Sequence, residues 1–151
     1  MTNTDRIEKR IVLRAPRSRV WRAIATAEEF GAWFAVKLEG EFVEGATIRG
    51  KITHPGYEHV TMEMQVQRME PERYFAYRWH PYAIDSNVDY SSEPTTLVEF
   101  QLEETDGGAL LTIVESGFDQ IPLERRAKAF RMNDRGWAEQ TLNIERYVSA
   151  N

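Results

Sequence analysis

The last thirty or so residues place the strongest constraint on what this chain can fold into. Within residues 120–151, one set of side chains recurs at spacings of four, three, four, three and four, which is the period of an α-helix. The residues on this stripe are Phe130, Asp134, Trp137, Thr141, Ile144 and Val148. The stripe is mostly apolar, and the opposite face is charged. Such a helix cannot bury its apolar side alone, so we expect it to lie against a broad surface.

A period of two runs through most of residues 35–117 and predicts that broad surface as a sheet. The predicted strands are 36–41, 47–53, 59–69, 74–80, 95–103 and 110–116. Another strand, 6–14, opens the chain, and two short helices follow it, the first ending near Ala25 and the second covering 26–34. Consecutive strands with short turns pair antiparallel, and a strongly twisted sheet curls. We therefore predict an α+β fold, with a curved antiparallel sheet of six to seven strands wrapped around the long C-terminal helix.

Composition limits the class of protein. Hydrophobic residues make up 42 % of the chain and charged residues 28 %, which predicts one soluble domain over residues 1–151. The excess of 24 acidic over 19 basic residues disfavours nucleic acid as a partner. The absence of cysteine excludes disulfides, thiolate metal sites and a cysteine nucleophile. The amino terminus lacks the apolar core of a signal peptide and no run reaches membrane-spanning length, so we expect a cytoplasmic protein without membrane insertion.

Several short motifs, in a fixed order, carry a resemblance to a known family. They are Ala15-Pro16 before Val20-Trp21, then Trp33, Met69-Glu70-Pro71, Trp79, Glu115-Ser116-Gly117-Phe118, Gly136-Trp137 and Tyr147. In this order they resemble the START-like helix-grip superfamily, often called SRPBCC. Within it, they are similar to the branch named after the activator of the heat-shock-protein-ninety ATPase. One departure is Thr141, which stands where members of this branch usually place a large aliphatic residue.

The resemblance implies a cavity between the curved sheet and the long helix. Physical reasoning agrees, because a strongly bent sheet cannot close completely on one helix. The predicted ligand-binding residues are Met62, Met64, Val66, Phe75, Tyr77, Trp79, Val98, Phe100, Glu115, Phe130, Trp137 and Thr141. Aromatic and methionine side chains suit planar or greasy ligands. The alternative is that these large side chains fill the core and leave no cavity.

Glu115 is the most informative polar residue, because it shares a strand face with Leu111 and Ile113. If that face points inward, burial should raise the pKa of the carboxyl group. It could then hold an amine, orient a hydroxyl or act as a general base. The structural alternative is that Glu115 ties down the last strand through Arg78, Arg131 or a helix amide.

We expect the protein to bind a small hydrophobic or aromatic molecule without catalysing a reaction, with the ligand entering under the polar segment 81–94. Glu115, Tyr77 and Arg78 are the predicted specificity groups. One alternative, implied by the name of the branch, is a co-chaperone-like module that binds a protein partner in a stress response. Another is a polyketide cyclase-like enzyme using Glu115. We assign no catalytic residue, cofactor or metal, because the three histidines match no metal motif. A monomer or a homodimer is compatible with the sequence.

Overall fold

The computed structural model of the protein describes residues 6–81 and 93–150. The strands are β1 (Arg6–Leu13), β2 (Val36–Glu39), β3 (Thr47–Ile52), β4 (Thr61–Glu70), β5 (Tyr74–Trp79), β6 (Thr96–Thr105) and β7 (Gly108–Ser116). The helices are α1 (Arg17–Ala25), α2 (Ala27–Phe34) and α3 (Leu123–Ala150), with one turn of 3₁₀ helix at Phe118–Gln120. Most of the polar segment predicted between β5 and β6 lies outside the described residues.

The strands form one antiparallel sheet in the order β1-β7-β6-β5-β4-β3-β2. Six strands follow one another along the chain, and each pairs with the next, as short turns require. The first strand joins the far side of the sheet by pairing with β7, so that Ile7 lies opposite Glu115. The two short helices connect the two edge strands. This architecture confirms the predicted α+β helix-grip fold, and several strands end within one or two residues of their predicted limits.

The connection from α2 into β2 depends on a glycine. Ala35 closes the helix in a left-handed conformation, with φ of 71°, and its amide donates to the Gly31 carbonyl at 2.9 Å. The chain then turns back so closely that a Cβ on Gly31 would overlap the carbonyl oxygen of Val36. Glycine is therefore required here by a close backbone approach.

The long helix α3 packs its apolar stripe against the inner face of the sheet. Trp137, Ile144 and Val148 are buried, as the spacing predicts. Asp134 interrupts the apolar stripe, and it forms an ion pair of 2.9 Å with Lys9 on the inner face of β1. The two charges therefore meet where the helix and the first strand cross. None of the helices in the described ranges combines the length and the apolar character that crossing a bilayer requires.

Candidate ligand-binding site

The space between the sheet and the helices is filled over most of its length by aromatic side chains. Neighbouring rings have centroids 4.8 to 6.4 Å apart, mostly in tilted or edge-to-face arrangements. The rings in this aromatic cluster are Phe30, Trp33, Phe34, Phe42, Phe75, Tyr77, Trp79, Phe100 and Trp137. Five of the predicted ligand-binding residues are thus packed against other rings of the cluster, namely Phe75, Tyr77, Trp79, Phe100 and Trp137.

Other predicted ligand-binding residues are also engaged in packing. Met64, Val66 and Val98 are buried in the same core. Phe130 packs edge-on against Phe118, with ring centroids 5.2 Å apart. Thr141 is only partly buried, and its hydroxyl donates to the carbonyl of Ala138 at 2.7 Å.

A cavity remains at one end of the aromatic cluster, where β5 ends and α3 passes over the start of β4. Its volume is about 260 Å³. The lining residues are Phe34, Ile52, Tyr57, Val60, Thr61, Met62, Glu63, Trp79, His80, Pro81, Met132 and Asn133. Met62 and Trp79 are the predicted ligand-binding residues on its wall. The walls are mainly apolar and aromatic, as is typical of small-molecule sites.

A second, more polar depression adjoins the cavity and is called the groove below. It lies between α3 and the loop that joins β3 to β4, and its volume is about 660 Å³. Tyr57 and Met132 line both spaces, so the two are contiguous. The helix side of the groove carries three cations, Lys128, Arg131 and Arg135. An elongated molecule could therefore place its apolar part in the cavity and a polar part in the groove.

Glu115 lies behind the cavity wall and has no exposed surface. Four side chains donate hydrogen bonds to its carboxylate. Trp79 Nε1 lies 2.7 Å and Thr96 Oγ1 2.5 Å from Oε2. Trp137 Nε1 lies 2.8 Å from Oε1, and Asn133 Nδ2 lies 2.9 and 3.1 Å from the two oxygens. This carboxylate network joins β5, β6 and β7 to α3.

Alternation along the strands explains how these groups meet. Trp79 lies directly opposite Thr96, and Glu115 lies opposite Val98, one pleat further along the same face. Asn133 and Trp137 are four residues apart on α3 and therefore project from one side of the helix. The carboxylate network thus forms where the end of β7 passes beneath these two helix positions.

Every donor in the network is electrically neutral. Burial raises the pKa of Glu115, and the hydrogen bonds from the four donors oppose that shift. The prediction that Arg78 or Arg131 pairs with this carboxylate is wrong, because neither contacts it within the described residues. Its hydrogen-bond partners are Trp79, Thr96, Asn133 and Trp137. Glu115 is not on the cavity wall, whereas Trp79 and Asn133 are. Its contact with a ligand would therefore be indirect, through the positions of those two side chains.

Tyr77 brings a second buried polar group close to Glu115. Burial and the neighbouring carboxylate raise the pKa of the Tyr77 phenol well above its ordinary value. The hydroxyl is buried and finds no hydrogen-bond partner among the residues that the structure describes. Tyr77 also lies off the cavity wall. A role for this hydroxyl in specificity would require the cavity to extend inward past the surrounding rings.

Substituting Tyr77 with phenylalanine is expected to raise the free energy of unfolding by about 1 kcal/mol, because it removes a buried hydroxyl without a partner. Urea denaturation followed by far-UV circular dichroism measures the change. Tyr74→Phe is the matched control. The Tyr74 hydroxyl donates to Glu99, so its removal should lower the free energy of unfolding. A loss of 1 kcal/mol or more in Tyr77→Phe would mean that the hydroxyl has a partner such as a buried water.

Two residues of the network were missed by the sequence prediction. Asn133 is four residues before Trp137, so helical spacing alone could have placed both on one face. The stripe was drawn through Asp134 instead, three residues before Trp137. Thr96 lies in a predicted strand on the same face as Val98, but nothing in its sequence context indicates a carboxylate partner.

The fold and the site define a class of protein in which a curved sheet grips a helix and leaves a cavity at one end. The profile of the family described as "Activator of Hsp90 ATPase homolog 1-like protein" matches residues 14–149. The chain belongs to this family, within the START-like helix-grip superfamily. The search of curated proteins finds no significant match. This fold is compatible with binding of a small ligand or of a protein partner, and with assembly into a dimer.

Solved structures share the fold at low sequence identity. DynU16, from the dynemicin biosynthetic locus, has a TM-score of 0.74 and 20% identity, covering 96% of this chain and 47% of that one. MLL2253 from Mesorhizobium loti has a TM-score of 0.76 and 18% identity, covering 97% and 98%. The Aha1 dimer from Colwellia psychrerythraea has a TM-score of 0.69 and 18% identity, covering 93% and 92%. The chain thus spans about half the length of DynU16 and nearly all of the other two.

Proposed function

We propose that the protein binds a small aromatic or hydrophobic molecule in the cavity between β4, β5 and α3. The observation that carries this proposal is an apolar cavity of about 260 Å³ at the end of the aromatic cluster. Cavities of about 150 Å³ lined by apolar side chains already admit a benzene ring. The space therefore suits one ring or two fused rings, with any longer substituent directed into the groove.

The cavity walls provide the apolar surface against which a ligand would pack. Phe34 and Trp79 present aromatic surface, while Ile52, Val60 and Met62 present aliphatic surface. Burial of such surface contributes roughly 25 cal/mol per Å² before the costs of ordering are subtracted. A ligand of this size is therefore expected to bind in the micromolar to millimolar range through the cavity alone. Contacts in the groove would add to that affinity.

The test is a titration of the protein with 2-naphthol, followed through the ¹³C-labelled methyl groups of methionine. Met62 and Met132 line the cavity and should shift. Met69 lies at the far end of β4 and serves as an internal control. Met132→Trp, which fills the cavity from the helix, is expected to lower affinity at least about tenfold, because it removes the buried contact area.

Leu142→Trp is the matched control, since Leu142 is exposed on the same helix and lies off the cavity wall. It should bind 2-naphthol as the wild type does. The proposal fails if the Met62 and Met132 resonances stay unchanged up to the solubility limit of the probe. It also fails if Met132→Trp and Leu142→Trp bind the probe equally.

A further inference from the structure

The inner wall of the cavity has its hydrogen-bond donors already engaged. Trp79 and Asn133 face the cavity on one side and Glu115 on the other. The indole N–H of Trp79 donates to Oε2 of Glu115, and an indole has no other donor. A ligand therefore cannot receive a hydrogen bond from Trp79 unless the carboxylate network opens.

The same carboxylate fixes the orientation of the Asn133 amide. Both oxygens of Glu115 lie within 3.1 Å of Nδ2, and a carboxylate only accepts hydrogen bonds. The amide nitrogen must therefore face Glu115, which turns the carbonyl oxygen Oδ1 away from it. No residue in the described ranges donates to Oδ1. Asn133, a residue of the cavity wall, thus has an acceptor oxygen that is open to solvent or to a ligand and has no protein partner in the described ranges.

The charges around the cavity also favour a ligand that donates a hydrogen bond. Glu115 is a fully buried carboxyl whose partners are all neutral. Glu63 is a second carboxylate on the wall, and Arg49 pairs with it at 2.6 Å. Arg49 compensates the charge of Glu63, whereas no cation pairs with Glu115 in the described residues, so Glu115 is the group that favours a ligand bringing a positive or partially positive hydrogen to this end. The cations Arg131 and Arg135 line the groove on the exposed side of α3, where solvent and salt screen them.

We propose that the cavity selects aromatic molecules whose ring carries a hydrogen-bond donor, such as a phenolic hydroxyl, and that Asn133 Oδ1 accepts that hydrogen bond. This inference rests on the proposed function, because it names the kind of ligand that the same cavity takes. A ring bearing only acceptors, such as an aryl ether or ketone, would leave Oδ1 buried without a partner.

Two isomers of the same composition test this inference. 4-Ethylphenol carries a donor, whereas 4-methylanisole has the same number of atoms and carries none. Isothermal titration at neutral pH is expected to give about tenfold tighter binding of 4-ethylphenol to the wild type, the difference made by one buried hydrogen bond. In Asn133→Leu the two isomers should bind with similar affinity.

Thr96→Val is the matched control for Asn133→Leu. It also removes one donor from Glu115, but Thr96 lies off the cavity wall, so the preference for 4-ethylphenol should persist. Thermal denaturation shows whether both variants are folded. The comparison of the two isomers in the wild-type protein does not depend on either variant. Equal binding of the isomers to the wild type overturns this inference alone. A preference retained in folded Asn133→Leu overturns the role of Asn133. If neither isomer binds and 2-naphthol does not bind either, the proposed function is overturned as well.

Discussion

Replacing Glu115 with leucine is expected to lower the free energy of unfolding by about 4 kcal/mol or more. The change leaves four donors without an acceptor, two on the buried Thr96 and Trp137 and two on the half-buried Trp79 and Asn133. Each hydrogen bond to a charged group contributes about 1.5–3 kcal/mol. Removing the charge also removes the cost of having buried it, so the net loss is smaller than the sum of the bonds.

Glu115→Gln separates the loss of charge from the loss of the acceptor. A glutamine keeps one acceptor oxygen but turns an NH₂ group toward the remaining donors, so we expect a loss of about 2 kcal/mol. In ¹H–¹⁵N spectra the indole N–H signals of Trp79 and Trp137 should move. The signal of Trp33 should not, because it donates to the carbonyl of Ala23 at 2.8 Å.

The matched control for Glu115→Leu is Glu103→Leu on the neighbouring strand. Glu103 is exposed, so the change should alter stability by no more than about 0.5 kcal/mol. Chemical denaturation in urea gives both values at one pH. A loss below 1 kcal/mol in Glu115→Leu would show that the four donors find other partners or water, and that the carboxylate network does not hold the helix to the sheet.

Trp137→Ala is expected to destabilise the protein by about 4 kcal/mol, at the upper end for large-to-small changes in a core. The side chain is 2 % exposed. Its ring lies 5.8 to 6.0 Å from those of Phe34, Trp79 and Phe100. Its loss would leave a cavity between α3 and the sheet and would also remove one donor from Glu115.

Two further variants separate these contributions. Trp137→Phe keeps most of the packing and loses the hydrogen bond, so it should cost about 1–3 kcal/mol. Trp21→Ala, at a half-buried position of α1, should cost less than Trp137→Ala, because less apolar surface leaves the core. Thermal and urea denaturation measure all three. Similar losses for Trp21→Ala and Trp137→Ala would contradict a central role for Trp137 in the aromatic cluster.

The sequence predicts the architecture well, because periodicity reports which side of an element is buried. The alternation in β6 and β7 places Val98, Phe100, Ile113 and Glu115 inward, and the structure agrees. The stripe on α3 is accurate at Trp137, Ile144 and Val148. Near Asp134 the stripe is incomplete, because Asp134 pairs with Lys9 while the neighbouring Asn133, which the stripe omits, donates to Glu115.

The site is less predictable than the fold, for a physical reason. An inward-facing aromatic residue obeys the same alternation whether it lines a cavity or packs against another ring. The distinction depends on how far Phe30 and Phe34 of α2 reach across the sheet, which is a property of the assembled fold. The outer wall comes partly from Tyr57 and Val60, in a loop without a repeating pattern. Sequence analysis therefore identified the apolar interior but not which of its side chains pack against one another and which line the cavity.

Phe34 stands at the boundary between the filled and the open parts of the interior. Its ring stacks on Phe30 at 5.0 Å and also forms part of the cavity wall. A smaller residue there would lengthen the chamber inward without changing a strand or a turn. Such a substitution would also lower the free energy of unfolding, because it removes packed apolar surface. Evolution could thus adapt such proteins to larger or smaller molecules through single substitutions at one ring, and protein engineers could follow the same route.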